Sequence, residues 1–110
     1  MTMEIKKITA IIRSDLLEKV EERLKTLGIK GVSVSNVKGY GEYMNFFRHD
    51  WMVTHTRIEI FVEKRRAAAI VAAVLEVAHT GVPGDGVLAV SPIEYLYRIR
   101  TMQLAEPEEV

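Results

Sequence analysis

Thr56-Arg57-Ile58-Glu59-Ile60-Phe61-Val62-Glu63 alternates with period two, and the residues that follow change period at once. Ile58, Ile60 and Val62 share one side of an extended segment; Arg57, Glu59 and Phe61 share the other. That pattern reads as a strand with one face in a core. From Arg65 to Ala78 the spacing becomes helical, and Ile70, Ala73, Val74 and Val77, at i, i+3, i+4 and i+7, form a packing stripe. The turn-rich stretch Thr80-Gly81-Val82-Pro83-Gly84-Asp85-Gly86 then leads into a short apolar strand, Val87-Leu88-Ala89-Val90. This half of the chain is therefore strand, helix, loop, strand.

Upstream the same order appears. Ile5 to Ile12 is rich in β-branched residues and reads as a strand. Ser14 and Asp15 are N-cap candidates, with Glu18 and Glu21 in the first turns of a helix. Leu16, Leu17, Val20, Leu24 and Leu27 carry the helical spacing, and Gly28 is a natural C-cap. Gly31 to Tyr40 reads as a second strand, and Gly41 to His55 has no clear period and reads as a loop. After Val90, Ser91-Pro92-Ile93-Glu94 is expected to open a turn with Pro at a first helical position. The sum is βαββαβ, an α+β domain of ferredoxin-like layout spanning 1–110, its antiparallel sheet carrying both helices on one face. Val32, Val34, Val37 and Phe61 put apolar groups on both sides of the second and third strands. Covering by other subunits is expected, with a homotrimer as the assembly.

Composition narrows the functional classes. Lys+Arg and Asp+Glu are both 15, so bulk charge gives no reason to expect nucleic-acid binding. No cysteine is present, which excludes disulfides and thiolate metal sites. The first residues lack the apolar core of a signal peptide, and the apolar run Ala67 to Leu75 is too short to span a membrane. A cytoplasmic protein is expected.

The chemistry gathers in two places. A loop with Gly81, Gly84 and Gly86 lets backbone N–H groups approach an anion closely. Arg98 and Arg100, at i and i+2, would point to one side of an extended segment and present a paired guanidinium fork for phosphate or carboxylate. Tyr43-Met44-Asn45-Phe46-Phe47-Arg48-His49-Asp50-Trp51-Met52 is aromatic and suited to docking on a protein or closing over a ligand. No Ser/His/Asp or paired-carboxylate arrangement resembles a catalytic site, so no catalytic residue and no enzyme activity is expected.

With these residues in order, the chain resembles the PII signalling family over almost its whole length. The marks are Ile8-Thr9-Ala10-Ile11-Ile12-Arg13, Leu27-Gly28-Ile29-Lys30-Gly31-Val32-Ser33-Val34, Val37-Lys38-Gly39-Tyr40-Gly41, Thr80-Gly81-x-x-Gly84-Asp85-Gly86 and Arg98-Ile99-Arg100-Thr101. The resemblance implies a T-loop at about 42–55, a B-loop at about 80–87 and a C-terminal segment at about 91–104. It implies a trimer that binds ADP, AMP or ATP between subunits, holds no tightly bound cofactor, and docks on a membrane transporter or an enzyme. It places Gly39, Tyr40 and Gly41 beside the nucleotide, Ser33 and Ile60 along the adenine, Gly84, Asp85 and Gly86 on the phosphates through backbone N–H, and Arg98 and Arg100 as added positive charge.

The chain also departs from the family pattern. The T-loop is short. Glu42 and Tyr43 stand where an arginine and a glutamine are usual, His55 where a T-loop lysine is, and Val87 where a lysine follows the B-loop. Sensing of 2-oxoglutarate and modification of a T-loop tyrosine are therefore not expected. With less positive charge near the outer phosphates, preference should move from ATP toward ADP or AMP. Short-loop relatives linked to inorganic-carbon uptake bind bicarbonate, and Arg48, with Tyr43 and His55 nearby, is the candidate holder of such an anion. The alternative reading is a trimeric divalent-cation-binding protein that uses the T-loop histidines, His49 and His55.

Overall fold

The computed structural model describes residues 4–37, 54–106 and 110. β1 (Ile5–Arg13) lies inside a four-stranded sheet with β2 (Ser33–Val37), β3 (His55–Glu63) and β4 (Val87–Ile93), in the order β2-β3-β1-β4. Every pairing is antiparallel. β1 pairs with β3 from Ile5↔Glu63 to Arg13↔His55, and with β4 from Ile5↔Ile93 to Ile11↔Val87. One end of the sheet therefore brings together Arg13, His55 and the start of β4, which come from three distant parts of the sequence.

α1 (Leu17–Thr26) and α2 (Lys64–Ala78) pack on one face. Ile8, Ala10 and Ile12 of β1 and Ile58, Ile60 and Val62 of β3 meet Val20 and Leu24 of α1 and Ile70 and Val74 of α2. Burying each of the larger side chains contributes about 1.5–3 kcal/mol, which is what fixes the strand register. Phe61 lies on the opposite face, 37% exposed. The fold is the ferredoxin-like α+β arrangement expected from the order of elements.

Several local readings change. Ser14 does not cap α1: Ser14–Leu16 is a short 3-10 turn, Leu16 is the N-cap of α1, and no side chain bonds there. The Ser14 hydroxyl lies 2.7 Å from that of Thr56 instead. At the other end of α1, Gly28 has φ +79°, its N–H bonds Lys25 O and the Ile29 N–H bonds Leu24 O, the paired bonds of a Schellman motif. β4 does not stop at Val90 but runs through Pro92, which sits opposite Lys6. A proline is tolerated there because β4 is an edge strand, with one side outside the ladder.

Beyond β4 the chain forms a hairpin of β5 (Tyr97–Arg98) and β6 (Gln103–Leu104). The Met102 N–H bonds Arg98 O at 2.8 Å, with Met102 at φ 61°. Arg98 is thus in a strand and Arg100 in the turn, so the two do not share one extended segment as expected. The hairpin is exposed and apolar at its tip, with Ile99 92% and Met102 86% accessible.

Candidate functional site

The loop between α2 and β4 is built around the carboxylate of Asp85. Its Oδ2 accepts the N–H groups of Thr80 at 2.8 Å and Gly81 at 2.9 Å, and its Oδ1 accepts the Thr80 hydroxyl. That hydroxyl oxygen in turn accepts the Val82 N–H at 3.1 Å. Burial alone would push the Asp85 carboxyl upward. The hydrogen bonds from Thr80, Arg13 and Gly81 outweigh it and hold the group well below the usual carboxylate range.

Arg13, the last residue of β1, braces this loop from the sheet. Its Nε donates to Asp85 Oδ1 at 3.0 Å, while its Nη2 donates to Val82 O at 3.2 Å and Pro83 O at 3.0 Å. The guanidinium thereby cancels the carboxylate charge within the loop. His55, opposite Arg13 in the ladder and 3% exposed, places Nε2 2.7 Å from Gly84 O. A carbonyl only accepts, so Nε2 carries the proton.

These contacts orient the peptide units. All peptide bonds described are trans, and in a trans unit the C=O and the next N–H point in opposite directions. Pro83 O is drawn toward Arg13, and Gly84 behind it is buried. Gly84 O is drawn toward His55, and the turn at Pro83–Gly84, with Gly84 at positive φ, brings the Asp85 N–H back toward Val82 O. Gly84 at φ +101° and Gly86 at φ +104° supply backbone shapes that other residues rarely adopt.

The residues singled out from sequence divide into three groups. Gly84, Asp85 and Gly86 lie together in this loop, with the Asp85 side chain turned inward as its anchor. Ser33 is exposed at the start of β2, opposite Glu59; Arg98 and Arg100 are exposed on the hairpin. Two expectations are corrected. Ile60 is 1% exposed in the core beneath the helices, so it cannot line an adenine pocket. His55 is buried at the start of β3, not exposed in a loop, and its Nε2 is engaged by Gly84 rather than offered to a metal. Gly39, Tyr40, Gly41, Tyr43 and Arg48, with His49, lie outside the described residues. Among the described residues no group of three His, Asp or Glu side chains is placed to hold a metal ion. Arg13 and Thr80 were missed as bracing residues. Arg13 and Asp85 are 72 residues apart, and no local spacing announces that contact.

Fold and loop together define a ferredoxin-like domain whose second β-α-β unit turns through a glycine loop braced against the sheet end. The model of the nitrogen regulatory protein P-II family matches residues 5–103, and the chain belongs to that family. It is 36% identical over 104 residues to the nitrogen regulatory protein P-II of Azospirillum brasilense, covering 88% of this chain and 93% of the relative. Identity to nitrogen regulatory protein P-II 1 of Methanothermobacter thermautotrophicus is 38% over 104 residues, covering 88% and 90%. The crystal structure of Arabidopsis thaliana PII bound to citrate superposes with a TM-score of 0.79 at 34% identity, covering 94% of this chain and 90% of that one.

Proposed function

We propose that this is a non-enzymatic, trimeric regulatory protein that binds an adenine nucleotide at the loop 80–86 and thereby controls a membrane transporter or an enzyme. The observation that carries the reading is the glycine loop itself, ordered by Asp85 and held to the sheet end by Arg13 and His55 with the charge of Asp85 already cancelled. Such a cradle suits a phosphate. One relative of known structure is bound to citrate, another compact polyanion, which supports an anion site on this fold.

The arginines of the hairpin belong to the site of another copy. β4 runs from Val87 beside the loop to Ile93, about 20 Å away at ~3.3 Å per residue, and the hairpin leaves from that far end. Arg98 and Arg100 would then add charge to a nucleotide held by a neighbouring subunit's loop. Val87 opens β4 where relatives carry a lysine, so the outer phosphates gain less charge and ADP or AMP is preferred over ATP. The short T-loop and Arg48 are assigned to a small anion such as bicarbonate and to partner docking, the pattern of the short-loop, carbon-uptake members. Calorimetry with AMP, ADP and ATP, each with and without bicarbonate, tests this. Binding of ADP or AMP tighter than ATP is expected. ATP binding tighter than ADP overturns the preference, and no binding of any nucleotide overturns the reading.

A further inference from the structure

We propose that the cleft behind the glycine loop is a second ligand site, one for a small, uncharged, largely apolar molecule with a single polar end. The cleft has a volume of about 210 Å³ and lies on the helix side of the sheet, where α2 passes β1 and β4. Ala10 and Ile12 of β1, Val74, Leu75 and Ala78 of α2, and Leu88 of β4 line it. Ala10 and Leu88 are partners in the ladder, so the two strands present one continuous apolar floor. Two of the six residues are alanines, and their methyl groups leave the space that longer side chains would fill. An apolar cavity of ~150 Å³ takes up benzene, so the volume here suits a molecule of about six to eight non-hydrogen atoms. The space takes one small molecule or one side chain, not a strand of peptide.

The loop supplies the wall that keeps the cleft open. Asp85 and Gly86 line its end. Gly86 already lies against β1, where a Cβ would come within 1.8 Å of Ile11 O, and Asp85 is tied to Thr80, Gly81 and Arg13. The loop therefore cannot sink inward to fill the gap. Charge decides the class of occupant. Among the described residues Asp85 is the only carboxylate lining the cleft, and Arg13 matches its charge at 3.0 Å, so nothing there is left to hold a cation. An anion would face that carboxylate and lose its hydration to apolar walls. A neutral body avoids both costs. His79 stands at the rim with 74% of its side chain exposed, and can hydrogen-bond a hydroxyl or carbonyl at the outer end of the molecule. An occupant touches Gly86 only while the loop lies against β1, so it favours that position of the loop. A ligand of the loop that needs the same position and the occupant of the cleft raise each other's affinity by the same factor. That last step rests on the nucleotide reading above; binding in the cleft does not.

Nuclear magnetic resonance titration of the full chain with benzyl alcohol, benzoate and benzylamine, which share one ring and differ in charge, tests the proposal. Benzyl alcohol should shift the amides of Ala10, Ile12, Ala78 and Leu88 in a saturable way, with a Kd of about 1 mM or tighter. Benzoate and benzylamine should bind at least about tenfold more weakly. Ala78→Leu, which puts a larger side chain into the space, should abolish the shifts. The wild-type titration decides the matter whether or not that variant folds. No saturable shift in the wild type, as when a side chain of a second copy fills the cleft, overturns the site. Shifts centred elsewhere, or equal binding of the three molecules, overturn it too. ADP at saturation should tighten benzyl alcohol about threefold or more. A protein that binds ADP without that change overturns the coupling. A protein that takes benzyl alcohol but no nucleotide supports the site and overturns the functional reading instead.

Discussion

A Cβ added to Gly86 would lie 1.8 Å from the carbonyl oxygen of Ile11. The loop closes onto β1 at that point with no room for a side chain, and φ at Gly86 is +104° besides. Both the clash and the backbone shape oppose any substitution. Gly86→Ala should lower stability by about 3 kcal/mol or more, through displacement of the loop and of the first β1–β4 pair. Urea unfolding checks this; a loss under about 1 kcal/mol would show that β1 yields easily.

Asp85 makes stability depend on pH in a stated direction. Its carboxyl is held below its unfolded value of 3.8, so its contribution is fully present above that value and is lost as pH falls through the folded one. The stability difference between wild type and Asp85→Asn should therefore be largest near neutrality and shrink as the solution is acidified below pH ~4. Urea titrations of both proteins at pH 7 and pH 3 measure it. A difference that stays constant or grows on acidification contradicts the geometry of the anchor.

Ile60 separates core from pocket. Truncation by one methyl group in Ile60→Val should cost about 0.5–1.5 kcal/mol, as for a buried isoleucine, and leave ADP affinity within about twofold of wild type. A selective loss of nucleotide with no loss of stability would return Ile60 to the adenine site.

Arg100 offers the reverse test. It is exposed in the turn of the hairpin, so Arg100→Ala should leave the unfolding midpoint of the subunit nearly unchanged. If it meets a phosphate on a neighbouring copy, ADP should weaken by about 1.5–3 kcal/mol, the worth of a charge-assisted contact. Paired calorimetry and thermal unfolding give both numbers, and unchanged affinity removes Arg100 from the site.

What was legible in the sequence follows the range of the forces involved. The alternation of Ile58, Ile60 and Val62 and the stripe of Ile70, Ala73 and Val74 are local signals of burial, and they placed β3, α2 and the helix-bearing face correctly. Gly28 marked its helix end because only the turn chemistry there admits φ +79°. Ser14 misled because a hydroxyl can serve a helix end or a neighbouring strand, and Thr56 won it through a contact across 42 residues. Pro92 misled because its local signal is a break, whereas an edge position absorbs the missing N–H. Arg13, the brace of the loop, carries no mark of its role, since its partners come from a segment some seventy residues on that the register of β1 and β4 brings near it.

The carboxylate of Asp85, tied to Thr80, Gly81 and Arg13, has a kinetic consequence. A loop ordered by its own side chain does not wait for the ligand to fold it. Nucleotides should then associate at rates set by diffusion and docking, about 10⁵–10⁷ M⁻¹s⁻¹ for all of them, with no slow closing phase. Discrimination among AMP, ADP and ATP must then lie in how long each one stays. Under the proposed reading, the departure of the nucleotide is then the event that sets how quickly the signal of such a protein can change.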